Sequence, residues 1–200
     1  MIFILITIVI TTSLECTNAC GVSTHISIAN EALQSFADTA EYNVSYRDII
    51  LNNYDAFYAG SNYPDAMYSS ICFGGRYHDI SEDTHWAPFL NATVNYIRKT
   101  YTKPWSKAAE KLIAFTFGVV SHQVADITWH SLGIDQGFLR IMANVNFHGS
   151  FSTAHPLGDA GGDMVSLFEG DIHDISLSKT WYYFYTHSYA AIRIPGEIQK

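Results

Sequence analysis

The sequence predicts an all-α protein built as one domain. Apolar residues recur at helical spacing along most of the chain, and no stretch keeps the alternating pattern of a half-buried strand. The 200 residues are 48% hydrophobic and 15% charged, a composition that excludes a disordered chain. The formal net charge is −8 and no basic cluster is visible, so nucleic acid is not expected as a partner.

Residues 1–19 are predicted to be a signal peptide. Their apolar run of about a dozen residues is shorter than the roughly 20 that span a bilayer. The small residue Ala19 ends the segment, as a signal-peptide cleavage site requires. Cleavage there makes Cys20 the first residue of a domain covering 20–200. It predicts a secreted, extracellular protein with no stable transmembrane segment.

Export affects the interpretation of two cysteines and two asparagines. Cys20 and Cys72 remain after cleavage, and a disulfide between them is the simplest outcome in an oxidising compartment. Free thiols or a thiolate metal ligand are the alternatives. Asn43 and Asn91 each begin an Asn-x-Ser/Thr triplet, which predicts glycosylation of a secreted chain.

Helical periodicity and end signals predict seven helices, over 26–36, 46–59, 86–101, 105–132, 136–146, 156–168 and 178–192. Ser45 and Asp48 form a capping box before the second of them, and Gly60 is expected to stop it. Pro156 is expected at the first position of the sixth helix. Residues 61–81 are predicted to be a loop, because Gly, Pro and Asn recur there.

The predicted central helix carries three polar residues in an otherwise apolar stretch. His122, Asp126 and His130 follow one another at intervals of four residues, so their side chains lie within about 80° of one helix face. A buried carboxylate costs several kcal/mol unless it is paired or binds a metal, and neutral His with carboxylate is a usual zinc ligand set. The pattern predicts a metal site, with a structural His–Asp pair as the alternative.

Further ligand-type residues lie on separate segments. His155 and Asp159 repeat the His-x-x-x-Asp spacing, and Asp163 follows four residues later. Capping of the helix N-terminus by acids is the alternative, which explains the two Asp residues but not His155. His25, Asp65 and His85 add candidates elsewhere in the chain. Together they exceed the four ligands of a closed structural zinc site. The sequence therefore predicts a multinuclear metal site.

Five stretches closely resemble the glycosylphosphatidylinositol-specific phospholipase D family: CGVSTH, YPDAMYSSIC, GRYHDISEDTHWAPFLNAT, FGVVSHQVADITWHSLGIDQGFLR and FHGSFSTAHPLGDAGGD. They span about three quarters of the chain and belong to the start of that family's catalytic domain. The family is similar to bacterial zinc-dependent phospholipases C and fungal single-strand nucleases. The resemblance implies an all-α, zinc-dependent phospholipase C-like domain that holds three zinc ions and hydrolyses phosphate esters.

The same resemblance implies the ligand set residue by residue. One zinc would take the amine and carbonyl of Cys20 together with His25 and Asp126. A second would take Asp65, His85, His122 and Asp126, and a third would take His130, His155 and Asp159. Asp65 would also orient or deprotonate the attacking water. His78 is an alternative to His85. The spacing HxxxDxxxH is shorter than the HxxxDxxxxxH of the bacterial enzymes, so the substrate analogy follows the glycosylphosphatidylinositol enzymes.

The function implied is a secreted zinc phosphodiesterase of phospholipase D type. It would hydrolyse the inositol phosphate linkage of glycosylphosphatidylinositol anchors at membrane surfaces, releasing phosphatidic acid and the anchored protein. The alternatives are a phospholipase C or nuclease-like phosphoesterase, and a non-catalytic truncated isoform that binds zinc or lipid. The last is suggested because the resemblance fades after Asp171, and the family's β-propeller has no counterpart in these residues.

Overall fold

A computed structural model describes residues 21–37, 44–68 and 73–169. Within these ranges the chain forms eight α-helices and no strand, which confirms the all-α prediction. The helices are α1 (Val22–Gln34), α2 (Tyr46–Leu51), α3 (Tyr54–Asn62), α4 (His78–Thr84), α5 (Ala87–Thr100), α6 (Lys107–Trp129), α7 (Phe138–Asn146) and α8 (Phe151–Glu169). The predicted signal peptide, Cys20, Asn43, Cys72 and the predicted helix 178–192 lie outside the described residues.

Helix α6 is central and contacts α1, α2, α3, α5 and α7. Its closest neighbour is α3, and glycines make that approach possible. A Cβ on Gly118 would lie 2.0 Å from the carbonyl oxygen of Phe57, and one on Gly60 would lie 2.1 Å from that of Phe115. The prediction that Gly60 stops its helix is therefore wrong. Gly60 lies inside α3, where its missing side chain lets the two backbones touch.

The predicted helix 46–59 is two helices. Ser45 caps α2 as expected, since the Asp48 N–H donates to its Oγ at 3.0 Å. The break comes at the buried Asn53, whose φ of −142° is not helical. Its side-chain amide donates to the carbonyl of Ile49 at 2.8 Å, so the side chain competes with the backbone ladder that would continue the helix.

The prediction of a loop over 61–81 is partly wrong, because α4 begins at His78. This helix shows no apolar periodicity, since its buried face consists of Ser81 and Thr84. The Met67 N–H donates to the Ser81 hydroxyl at 3.0 Å, which joins α4 to the turn that follows α3. A polar buried face stabilised by such bonds is invisible to a hydrophobic-pattern argument.

Pro156 does not begin its helix, because α8 starts at Phe151 and carries the proline inside. Its missing N–H costs one bond of the helical ladder, while both flanking turns continue. As a result His155 and Asp159 lie one turn apart on one helix. None of the helices described here is long and apolar enough to cross a bilayer.

Candidate metal centre

Eight of the nine predicted metal ligands lie in the described residues, and they come together around the C-terminal half of α6. Six structural positions supply them: the first turn of α1, the turn after α3, the end of α4, the last two turns of α6, its C-cap, and α8. The residues, in that order, are His25, Asp65, His85, His122 with Asp126, His130, and His155 with Asp159. They form three groups whose ligand atoms lie within 4.8 Å of one another.

The first group is His25, Asp65 and His122. The His25 ring stacks on the His122 ring, with centroids 3.8 Å apart and planes 18° apart. Its Nε2 lies 3.5 Å from Oδ2 of Asp65 and 3.5 Å from Oδ1 of Asp126. These separations are too long for good hydrogen bonds, so His25 faces two carboxylates without bonding to either.

The second group is His85, His122 and Asp126. The His122 Nδ1–H donates to the carbonyl of Ser61 at 2.8 Å, and the His85 Nδ1–H donates to that of Ser81 at 2.7 Å. Because carbonyls only accept, these bonds fix the tautomers and direct both Nε2 atoms inward. The two Nε2 atoms lie 3.2 Å apart. If both nitrogens were unprotonated their lone pairs would face each other, so either a proton or a metal ion has to lie between them.

Asp126 lies between the groups. Its Oδ2 is 3.1 Å from Nε2 of His122 and 3.5 Å from that of His85. Its Oδ1 is 3.5 Å from Nε2 of His25 and 3.5 Å from that of His130. Each oxygen therefore faces a different set of imidazoles, which is the arrangement of a carboxylate that bridges two cations.

The third group is His130, His155 and Asp159. The His155 Nε2 lies 3.1 Å from Nδ1 of His130, and its Nδ1 lies 3.6 Å from Oδ2 of Asp159. Burial lowers the pKa of His130 to about 4, although Asp126 opposes the shift, and burial also lowers the pKa of His155. Both rings are therefore neutral at physiological pH, which is the form that binds metal.

The electrostatics of the centre favour positive charge. Burial by itself would raise the pKa of Asp65, yet His122, His25 and His85 hold it well below its usual range. The pKa of Asp126 is also lowered, mainly by His122 against the effect of burial. In turn, Asp65 and Asp126 raise the pKa of His122 to about 9 despite its burial. At that pKa His122 holds a second proton in the absence of metal. A bound metal ion would supply the positive charge in place of that proton.

The side chains fit zinc. Both ring nitrogens of His25, Oδ1 of Asp126 and Oδ2 of Asp159 are buried without a hydrogen-bond partner, which is costly unless a cation binds them. Zinc bonds of 2.0–2.1 Å in a tetrahedron separate neighbouring ligand atoms by about 3.3 Å. The two inward His–His contacts, at 3.2 Å and 3.1 Å, are close to this value. A purely structural His–Asp pair would not leave these atoms without partners.

His78, the alternative to His85, lies outside the three groups. Its Nε2 is 3.6 Å from Oε1 of Glu82, and its side chain is half exposed. His85 instead has its Nε2 3.3 Å from Oδ1 of Asp65. The structure thus brings His85, and not His78, together with the other candidate ligands.

Asp163 has a role that its position in the sequence did not indicate. Its Oδ1 accepts from the Thr24 N–H at 2.9 Å and from the Thr24 hydroxyl at 3.1 Å. It therefore caps the N-terminus of α1 rather than its own helix. A Cβ on Gly21 would lie 1.8 Å from the Asp163 carboxyl carbon. This cap ties α8 to the turn of α1 that carries His25.

Trp129 is a second residue whose contact with the centre no local sequence pattern indicates. Its indole N–H donates to Oδ1 of Asp159 at 2.8 Å, while Oδ2 of that carboxylate is left without a partner. The bond therefore turns one oxygen of Asp159 toward His155. Burial raises the pKa of Asp159 to about 7, and the bond from Trp129 limits this rise.

Replacing Trp129 with Phe should weaken zinc binding at the third group by about 10- to 100-fold, the usual effect of losing a bond to a metal ligand. Zinc titration against a chromophoric chelator measures the change. Trp105→Phe is the matched control, since Trp105 packs on Tyr46 and away from the centre. Wild-type affinity at every zinc site in Trp129→Phe would contradict this role.

A cavity of about 280 Å³ opens onto the centre. Its wall combines candidate ligands with five other side chains, namely Tyr68, Glu82, Trp86, Leu132 and Phe151. The Tyr68 hydroxyl donates to Oε1 of Glu82 at 2.8 Å. The cavity gives a small polar ester direct access to the three groups. Asn91, a predicted glycosylation site, is exposed on α5, away from this wall.

Comparison with known proteins places the chain in a family. The family model described as zinc dependent phospholipase C matches residues 24–196. Over 163 residues the chain is 53% identical to the phosphatidylinositol-glycan-specific phospholipase D of Bos taurus, covering 82% of this chain and 19% of the relative. The enzyme of that name from Homo sapiens is 52% identical with the same coverage. That from Dictyostelium discoideum is 39% identical over 89% of this chain and 18% of its own.

The chain thus spans about a fifth of the length of the curated relatives that it matches. No solved structure matches it significantly. The family model names zinc, and the described His and Asp side chains form groups that could hold metal ions, so family and geometry agree on the cofactor. The chain belongs to the zinc-dependent phospholipase C family.

Proposed function

We propose that the protein is a secreted zinc-dependent phosphodiesterase that hydrolyses the inositol phosphate linkage of glycosylphosphatidylinositol anchors. The observation that carries the proposal is the buried centre, in which Asp126 presents one oxygen to each of two sets of imidazoles. The names of its relatives supply the substrate and the bond, which is cleaved as by a phospholipase D.

We further propose that the centre holds three zinc ions, whose ligand sets overlap the three groups of side chains. The second ion would bind Asp65, His85, His122 and Asp126, and the third would bind His130, His155 and Asp159. The first would bind His25 and Asp126 together with the amine and carbonyl of Cys20. This last assignment depends on the predicted cleavage after Ala19.

When bound, zinc supplies Lewis acidity toward the phosphate oxygens and the attacking water. The chain supplies the geometry. Asp126 faces His25 with one oxygen and His122 with the other, and the backbone bonds of His85 and His122 keep their rings in place. Asp65 lines the cavity and is the residue that we assign to orienting the water. His130 and His155 also line it.

The proposed partners are glycosylphosphatidylinositol lipids and the proteins anchored by them, at the outer surface of membranes. This location rests on the predicted signal peptide and on the names of the relatives. A disulfide between Cys20 and Cys72 and glycosylation at Asn43 and Asn91 stay predictions that belong with it.

Release of a glycosylphosphatidylinositol-anchored reporter from vesicles tests the proposal. The secreted protein should release the reporter, a chelator should abolish release, zinc should restore it, and phosphatidic acid should appear as the lipid product. Diacylglycerol as the product would instead indicate cleavage of phospholipase C type. A zinc-loaded protein that releases nothing would contradict the proposal and favour a non-catalytic, metal-binding product.

A further inference from the structure

The cavity beside the metal centre is acidic rather than basic. None of the described residues that line it is Lys or Arg, whereas Glu82 contributes a carboxylate from outside the three ligand groups. Among these described residues, positive charge for a phosphodiester can come only from the centre. The wall next to it opposes additional negative charge on the substrate.

Glu82 is held in a defined position at the edge of this cavity. The Tyr68 hydroxyl donates to Oε1 of Glu82 at 2.8 Å, and the Tyr68 ring packs against the His85 ring with centroids 5.8 Å apart. The bond between Met67 and Ser81 holds the helix that carries Glu82 against the turn that carries Tyr68. The Glu82 side chain is 49% exposed. It therefore keeps acceptor capacity for a ligand while the phenol fixes its orientation.

We propose that Glu82, positioned by Tyr68, is a specificity-determining residue that selects the headgroup next to the scissile phosphate. It accepts hydrogen bonds from ring hydroxyls or from an ammonium group, and it repels rings that carry further phosphates. The substrate class would be inositol phosphodiesters whose ring bears free hydroxyls, and not polyphosphorylated inositides. This inference rests on the proposed function, because it takes the inositol side of the ester to lie along this wall.

Binding of two soluble headgroups tests the inference without any turnover. The probes are glycerophosphoinositol and glycerophosphoinositol 4-phosphate, each titrated calorimetrically into the zinc-loaded protein. The quantity of interest is the ratio of the dissociation constant of the 4-phosphate to that of the unphosphorylated probe. Comparing this ratio between variants cancels the attraction of the metal ions, which both variants hold.

Glu82→Gln keeps an acceptor for Tyr68 and removes only the charge. We expect it to lower the ratio by about threefold or more, the effect of one charge at about 6 Å in water. Asp83→Asn is the control, since Asp83 is an exposed neighbour on α4 that does not line the cavity. It should leave the ratio at the wild-type value.

A ratio that Glu82→Gln leaves unchanged, or that Asp83→Asn lowers equally, would overturn the inference. So would a loss of zinc from Glu82→Gln, because Glu82 would then be a metal ligand. Failure of both probes to bind, with inorganic phosphate still binding, would overturn it as well. Reporter release decides the proposed function separately. If the protein releases the reporter but Glu82→Gln leaves the ratio of dissociation constants unchanged, only the role of Glu82 is refuted. If the ratio changes as expected but no reporter is released, only the proposed reaction is refuted.

Discussion

Replacing Asp126 with Asn should remove two of the three zinc ions and lower phosphodiesterase activity by more than about 100-fold. Loss of a group that merely bonds to a ligand costs about 10- to 100-fold, and Asp126 itself faces two sets of imidazoles through separate oxygens. An amide offers one neutral acceptor in place of two charged ones. The third group, which depends on His130, His155 and Asp159, should keep its zinc.

Metal content by mass spectrometry and activity on the same preparation measure this effect. Asp135→Asn is the control, because it removes a carboxylate whose side chain is fully exposed. Circular dichroism of both variants checks that the helices form. Full zinc content in Asp126→Asn would show that the carboxylate does not bridge two zinc ions. The ligands assigned to the first and second ions would then be wrong.

Replacing Gly118 with Ala should destabilise the protein by about 3 kcal/mol, the upper part of the usual range for overpacking. The new Cβ would lie 2.0 Å from the Phe57 carbonyl oxygen and 2.7 Å from the Ser61 nitrogen. Both are backbone atoms, so α3 and α6 would have to move apart. That movement also draws the Ser61 carbonyl away from His122, whose Nδ1–H it accepts.

Chemical denaturation in the presence of a chelator gives the free energy of unfolding without the contribution of bound metal. Gly161→Ala is the matched control, since a Cβ at this position in α8 meets nothing within 4 Å. It should be neutral or stabilising by up to about 1 kcal/mol, because Ala favours helix over Gly. Equal effects of the two substitutions would refute the backbone contact between α3 and α6.

The helical period was enough to predict part of the centre. His122 and Asp126 lie on one face of α6 as their spacing indicated, and His130 follows at its C-cap. His155 and Asp159 likewise lie one turn apart, even though the start of α8 was placed too late. Local spacing works for these pairs because a single helix fixes their separation.

Other features depend on contacts between segments that are distant in sequence. Thr24 and Asp163 are 139 residues apart, and no local pattern indicates that one caps the helix of the other. Trp129 and Asp159 are 30 residues apart and lie on different helices, so only the tertiary fold brings them together. Helix α4 has no hydrophobic pattern because its buried face is made of two hydroxyl residues, of which Ser81 bonds to a neighbouring turn. In each case tertiary packing, and not propensity, decides the structure.

The zinc content of the secreted, N-terminally sequenced protein is the decisive measurement for the proposed metal centre. Mass spectrometry of the intact chain under native conditions counts the ions, and stepwise removal by a chelator shows whether they differ in affinity. We expect three zinc ions per chain and a chain that begins at Cys20. A protein that binds no zinc would contradict this expectation, and would leave His122, Asp126 and His130 as a buried structural network.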